Sequence, residues 1–441
     1  MTVRGRPVTR RPSAALALPL ALLPFLAAPA SAPARGERGT RPAPAELSFW
    51  SWTPGVREAA GIWNREHPGA RVRVQEVVPG IKGGYAALRT ALLAGDPPDL
   101  AQIEYQVLPG FLLGALGGGE DGRVPAELSR LLPPGAGRRF AGWAWAQVSL
   151  GDRVFAVPVD QGPMALLYRR DVLRRHRIAV PRTWAEFERA AAVLRRRDPR
   201  VHLASFDPSD AGWVAGLAWQ AGARWFRTGG GRWSVTLDDA PTRRVLALWG
   251  RMIRAGTVKS QAAYTQAWTA DLNRGRVVAW PAPAWGTALV RTAAPENERN
   301  WAVAPLPTWG TRSAGNHGGS ATVVFARSGA RKRAAAAFAW WLSTDPRSLA
   351  AQAEKAGIFP AALGRHPLRF GGADAHPVFA EASRRIDPRF RWGPAMLQAF
   401  SRVADALGEA AATPGADLAG AMSGARDRVA ADIRAHGIDV R

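Results

Sequence analysis

Across residues 47–103 the spacing of apolar positions alternates between a strand period and a helix period. Leu47-Ser48-Phe49-Trp50-Ser51-Trp52 is a short β-prone run. Pro54 then opens a helix whose Val56, Ala59, Ala60 and Trp63 share one face. Residues 72–78 predict a second strand, 85–93 a second helix and 99–103 a third strand. Strands that alternate with helices predict a parallel sheet with right-handed crossovers. In such sheets ligands bind beyond the carboxyl ends of the strands. Topology alone therefore nominates Trp52, Thr53, Glu104, Tyr105 and Gln106 as site positions.

A second section starts at residue 154. A strand over 154–157 leads through Pro158 and Asp160 into another over 164–168. Helices are predicted at 184–196, 213–221, 242–254 and 263–273, and strands at 277–280, 302–307 and 321–325, with the remainder read as helical. There is no internal repeat.

The first thirty residues have the layout of a secretory signal peptide. Arg4, Arg6, Arg10 and Arg11 precede an apolar run over 14–30, and Ala28-Pro29-Ala30 offers small residues for cleavage after Ala30. The run is shorter than a bilayer needs and holds Pro19, Pro24 and Pro29, which argues against an uncleaved anchor. Residues 31–46, rich in Pro, Ala, Gly and Arg, read as a disordered lead-in. The chain has no cysteine, which excludes disulfides, thiolate metal sites and a lipid-bearing cysteine. The expectation is an exported soluble protein, periplasmic or extracellular, and not a lipoprotein.

Composition adds size and charge to this picture. A chain of 441 residues implies two or more lobes. The formal charge is +24, and all but four of the 59 basic residues are arginine. The arginines are scattered and not gathered into a stripe, so nucleic-acid binding is not expected. Nineteen tryptophans against four tyrosines make aromatic surfaces a functional suspect.

Several chemistries are absent. None of the four lysines has the glycine a P-loop requires, and the G-x-G-x-x-G at 117–122 follows a leucine-rich helical stretch and reads as a surface loop. No serine lies in G-x-S-x-G, which leaves His317-Gly318-Gly319-Ser320 without an oxyanion role. The seven histidines show no metal spacing. Glu104, Asp160, Asp207 and Asp210 leave two readings open, paired carboxylates for glycoside hydrolysis or carboxylates that grip sugar hydroxyls.

Five stretches, in order, carry a resemblance. They are Pro98-Asp99-Leu100-Ala101-Gln102-Ile103-Glu104-Tyr105; Val157-Pro158-Val159-Asp160-Gln161-Gly162-Pro163-Met164 with Pro181-Arg182-Thr183-Trp184; Gly275-Arg276-Val277-Val278-Ala279-Trp280 with Trp285; Gly318-Gly319-Ser320; and Gly357-Ile358-Phe359-Pro360-Ala361. The chain resembles, over about 47–433, the family 1 extracellular solute-binding proteins of carbohydrate ABC importers, the group that includes maltodextrin-binding proteins. The resemblance implies a two-lobed α/β periplasmic-binding-protein fold of type II. Lobe one would be 47–157 plus 307–350 and lobe two 158–306 plus 351–441, with hinges near 157–159, 305–307 and Gly357. It implies a monomer without catalytic residues, cofactor or metal. Such a protein carries a mono- or oligosaccharide to permease transmembrane subunits served by a separate ATPase. Trp52, Glu104, Tyr105, Asp160, Trp285, Gly318 and Gly319 fall on ligand positions, with Trp280, Tyr264, Trp268, Trp213 and Trp392 behind them. Sugars offer C–H faces to aromatic rings and hydroxyls to carboxylates, which suits this set. Asp160 is open to a second reading as a hydrogen-bonding cap at the hinge. Trp63, Trp184, Trp340 and Trp341 read as core.

Overall fold

The computed structural model describes residues 46–116, 124–327, 329–413, 415 and 417–441. The expected signal peptide, all but the last residue of the lead-in, and the glycine motif at 117–122 lie outside the described residues.

Strand β1 (Leu47–Ser51) runs parallel to β2 (Val72–Glu76) and β3 (Leu100–Glu104), with Leu47 opposite Val72 and Phe49 opposite Leu100. Helices α1 (Val56–Glu66) and α2 (Gly84–Ala94) make the crossovers, and α1 buries Val56, Ala59, Ala60 and Trp63. The sheet order is β2, β1, β3, then strand Ser320–Val324, then strand Ala156–Pro158. Ser320–Val324 lies antiparallel to β3, with Ser320 opposite Glu104. The sheet is therefore mixed, where local pattern predicts a parallel one; the antiparallel member arrives from more than 200 residues away.

A second sheet has Met164–Arg169 at its centre, flanked antiparallel by Ala279–Pro283 and Trp301–Pro305. Short strand pairs also occur outside the predicted elements. One is a hairpin of Phe226–Gly229 and Arg232–Val235, whose two-residue turn Gly230-Gly231 has φ of 59° and 75°. Positive φ at both turn positions is what a tight hairpin demands, and glycine supplies it. The helix predicted from 263 begins at Gln266 because the Thr265 side chain accepts a hydrogen bond from the Trp268 N–H. That cap leaves Tyr264 in the preceding loop.

Eleven of the 19 tryptophans are at most 4% exposed. The tryptophan excess is thus chiefly a packing device. Trp184, Phe187, Phe206, Trp213 and Trp249 form one mutually touching cluster with ring centroids 5.1–6.2 Å apart. No helix among the described residues is long and apolar enough to cross a membrane.

Candidate functional site

Glu104 is the last residue of β3, and Tyr85 lies in the first turn of α2. The Tyr85 hydroxyl donates to the Glu104 carboxylate, and the Glu104 N–H donates to the same hydroxyl at 2.7 Å. Trp52, just beyond β1, meets the Tyr85 ring edge to face at 6.2 Å. Beneath them, Gln102 Oε1 accepts from Ser51 Oγ at 2.8 Å and from the Trp52 N–H at 3.2 Å, while its Nε2 donates to Ser320 Oγ at 2.8 Å. These bonds fix the end of β1, and with it Trp52, against the neighbouring strands.

The segment before Ser320 crosses the same sheet end. The Tyr105 N–H donates to the Gly319 carbonyl at 3.2 Å, and the Tyr105 hydroxyl donates to the Asp160 carbonyl at 2.9 Å. The Asp160 carboxylate accepts from the Ser320 N–H at 2.8 Å and from its hydroxyl at 2.6 Å. Gly319 has φ of 91°, and a Cβ there would stand 2.8 Å from Tyr105 Cε2 and 3.0 Å from the Asp160 carbonyl oxygen. Gly319→Ala is expected to cost about 1–3 kcal/mol of stability through strain and overpacking, read from denaturant unfolding. An unchanged midpoint contradicts this.

A third group completes the arrangement. The Trp285 indole donates to the His317 carbonyl at 2.9 Å, and its ring lies 5.2 Å from the His317 ring and 6.3 Å from that of Tyr264. The Tyr264 hydroxyl donates to Asp210 Oδ2 at 3.2 Å, and His317 Nε2 lies 3.4 Å from Asp210 Oδ1. Asp210 also caps helix Ala211–Gln220 by accepting from the Trp213 N–H. Tyr264 is 47% exposed and has φ of 62°, a left-handed conformation that is uncommon for an aromatic residue and of the kind that gathers at functional sites.

Burial pushes the Glu104 carboxyl up to about 7; the Tyr85 hydrogen bond and His317 oppose the rise, and Asp160 adds to it. Burial likewise lifts Asp160 to about 6 against the two Ser320 bonds. For Asp210 burial also acts upward, but His317, the Trp213 N–H and the Tyr264 hydroxyl together hold it below the ordinary carboxylate range. Glu104 and Asp160 keep protons in the folded state that the unfolded chain has already released. Their contribution to stability therefore falls as pH rises from about 4 through about 7. The ligand-free protein is expected to lose Tm across that window, and Glu104→Gln to lose less. Equal slopes in thermal scans of the two proteins would refute the assignment to Glu104.

Of the residues expected from sequence, Trp52, Glu104, Asp160, Tyr264, Trp285, Gly318 and Gly319 come together around this loop. Others do not present a surface to a ligand. Tyr105 is 0% exposed and props Gly319 and Asp160 from below. Trp213 is 3% exposed, with its indole bonded to the Pro281 carbonyl. Trp268 and Trp280, at 2% and 4%, pack behind Tyr264 with tilted and edge-on rings. Trp392, at 4%, packs among Trp219, Phe390 and Phe400. For these five the expected ligand contact is replaced by a core position. Asp160 directs Oδ1 to both Ser320 bonds. Sequence reasoning passed over Tyr85, which reads as one more apolar helix position, and over His317, whose sole signal is its place beside Gly318-Gly319.

A separate cavity of about 580 Å³, lined among others by Phe140, Trp143, Gln161, Phe359, His376 and Ser383, contains none of the expected ligand residues and is chiefly apolar. No cluster of three or more potential metal ligands occurs among the described residues.

Comparison with known proteins follows the same lines. The fold superposes on the galacto-N-biose/lacto-N-biose I-binding protein of an ABC transporter from Bifidobacterium longum in complex with lacto-N-biose, with a TM-score of 0.80 at 22% identity, covering 91% of this chain and 100% of the other. It also superposes on an ABC-transporter-associated binding protein from B. animalis subsp. lactis in complex with β-1,6-galactobiose, at TM-score 0.74 and 22% identity, covering 90% and 99%. These matches establish the mixed α/β periplasmic-binding-protein fold. A curated relative, described as an uncharacterized lipoprotein in the oleD 5′ region of Streptomyces antibioticus, is 28% identical over 266 residues, which is 56% of this chain and 51% of that protein. The match thus spans about half the relative's length. The model of the bacterial extracellular solute-binding proteins matches residues 49–347. The chain belongs to the bacterial extracellular solute-binding protein family.

Proposed function

We propose that this protein is the substrate-binding component of an ABC importer and takes a mono- or oligosaccharide into a cleft bordered by Trp52, Glu104, Asp210, Tyr264, Trp285 and the Gly318-Gly319 segment. The observation that carries the reading is the set of part-exposed rings of Trp52, Tyr264 and Trp285 beside the Glu104 and Asp210 carboxylates. Rings take the apolar faces of a sugar and carboxylates take its hydroxyl protons.

The two lobes are centred on the two sheets, 47–157 plus 307–350 and 158–306 plus 351–441. Helix Pro346–Ala356 packs on α1, which favours carrying the first lobe on to about residue 356. The hinge is the place where Ala156–Pro158 pairs with Ser320–Val324 and Asp160–Gln161 pairs with Phe359–Pro360. Closure of the lobes on the sugar shifts the protein to the form that permease subunits, driven by a separate ATPase, recognise. The protein acts as a monomer outside the cytoplasmic membrane. The absence of cysteine supports an unlipidated form, unlike the lipoprotein description of the Streptomyces relative.

Intrinsic tryptophan fluorescence of the mature chain, titrated with mono- and oligosaccharides, tests this reading. Saturable change with at least one sugar is expected. A flat response to the whole panel counts against it.

A further inference from the structure

We infer that the saccharide carries a protonated amine. The inference rests on the saccharide-binding reading above and narrows it. Elsewhere in the fold the buried carboxylates are matched by a cation: Asp99 by Arg331, Asp238 by Arg243 and Arg426, and Asp271 by Lys259. In a chain with 59 basic residues such matching is easily had. Around the candidate site it stops. Among the described residues, Glu104, Asp160, Asp207 and Asp210 form no ion pair with arginine or lysine, and the imidazole of His317 beside Asp210 is the sole basic partner.

The hydrogen bonds sharpen the contrast. Glu104 Oε2 accepts from Tyr85, whereas Oε1 accepts no hydrogen bond from the described residues. Asp207 accepts from the backbone N–H groups of Ser209 and Ala263 and from the Ser209 hydroxyl, and stands behind Tyr264 without a cation beside it among the described residues. Removing carboxylates from water without a counter-charge is costly, and the cost is relieved by protonation or by a cation brought from outside. An ammonium group on the ligand supplies that cation and donates up to three hydrogen bonds, one of which Glu104 Oε1 is free to accept. The large positive charge of the chain, which invites the idea of an anionic ligand, therefore lies away from the site, and the site itself disfavours uronates and sugar phosphates.

Proton linkage follows from the same groups. Glu104 is faced by Tyr85 from α2, by Asp160 and by His317, and it must ionise to pair with an ammonium. An amine-bearing ligand therefore displaces protons, and its affinity rises with pH between about 6 and about 7.

The test is calorimetric titration of the mature protein with glucosamine, galactosamine and the chitobiose-to-chitotetraose series as free amines. Each is set against its N-acetyl and its hydroxyl counterpart, with glucuronic acid as the anionic control. The expected result is affinity on the order of tenfold or more higher for the amine form, with proton release between about pH 6 and 7 seen in buffers of different ionisation enthalpy. Glu104→Gln, a substitution of the same shape, should erase the preference. Neutral or anionic members that bind as tightly as the amines, or a preference that survives in Glu104→Gln, overturn this inference and leave saccharide binding standing. If none of these sugars binds while neutral sugars still alter the fluorescence, only the amine inference falls; silence in both assays removes the saccharide reading as well.

Discussion

Replacing Trp285 with alanine is expected to weaken saccharide binding by about 1–3 kcal/mol, which is roughly 5- to 150-fold in Kd. Two losses combine. The first is the indole face, which stands part-exposed between Tyr264 and His317 and is the ring best placed to stack on a sugar. The second is the indole N–H bond to the His317 carbonyl, which steadies the segment that carries Gly318 at φ of 81°. Trp285→Phe keeps most of the stacking and loses the bond, so it should fall between wild type and alanine. Because the ring is not central to a core cluster, far-UV circular dichroism and the unfolding midpoint should change little. Unaltered affinity in Trp285→Ala removes this residue from the site.

Trp249→Ala is expected to cost about 3–5 kcal/mol of folding stability. The ring is 0% exposed and touches Trp213 at 5.1 Å, Phe206 at 5.8 Å, Phe187 at 5.9 Å and Trp184 at 6.2 Å. These neighbours come from several different elements, so the void cannot be closed by one side chain moving. The indole Nε1 has no hydrogen-bond partner among the described residues, and the cost is therefore one of lost burial and cavity. Chemical denaturation gives the reading, with an unchanged m-value as the sign that the two end states are comparable. A loss below about 1 kcal/mol would mean that the cluster repacks.

Local pattern revealed most of the first sheet. The strand and helix periods over 47–104 place each boundary within a few residues of its observed position. Trp52 and Glu104 then follow from the rule that ligands gather at strand ends. What local pattern lacks is partner information. The strand Ser320–Val324 looks like any short apolar run, and nothing in it discloses an antiparallel pairing with β3. Tryptophans suffer from the same gap. Trp213 sits in a helix that is buried along its whole length, so no periodicity separates a core ring from a cleft ring there. Tyr85 and Glu104, nineteen positions apart, meet only because α2 folds back over the end of β3. Asp210 was legible as an acidic residue of either a hydrolase or a sugar site, and family membership now sets it in a binding protein.

The proposed function demands reversible capture of an intact saccharide at this one site. It is tested most directly by isothermal titration of the mature chain with the best sugar from the fluorescence panel, followed by chromatographic recovery of that sugar. One ligand per chain is expected, recovered unchanged, with binding weakened in Trp285→Ala. Cleaved sugar in the recovered fraction, or binding with full affinity in both Trp285→Ala and Glu104→Gln, would contradict it.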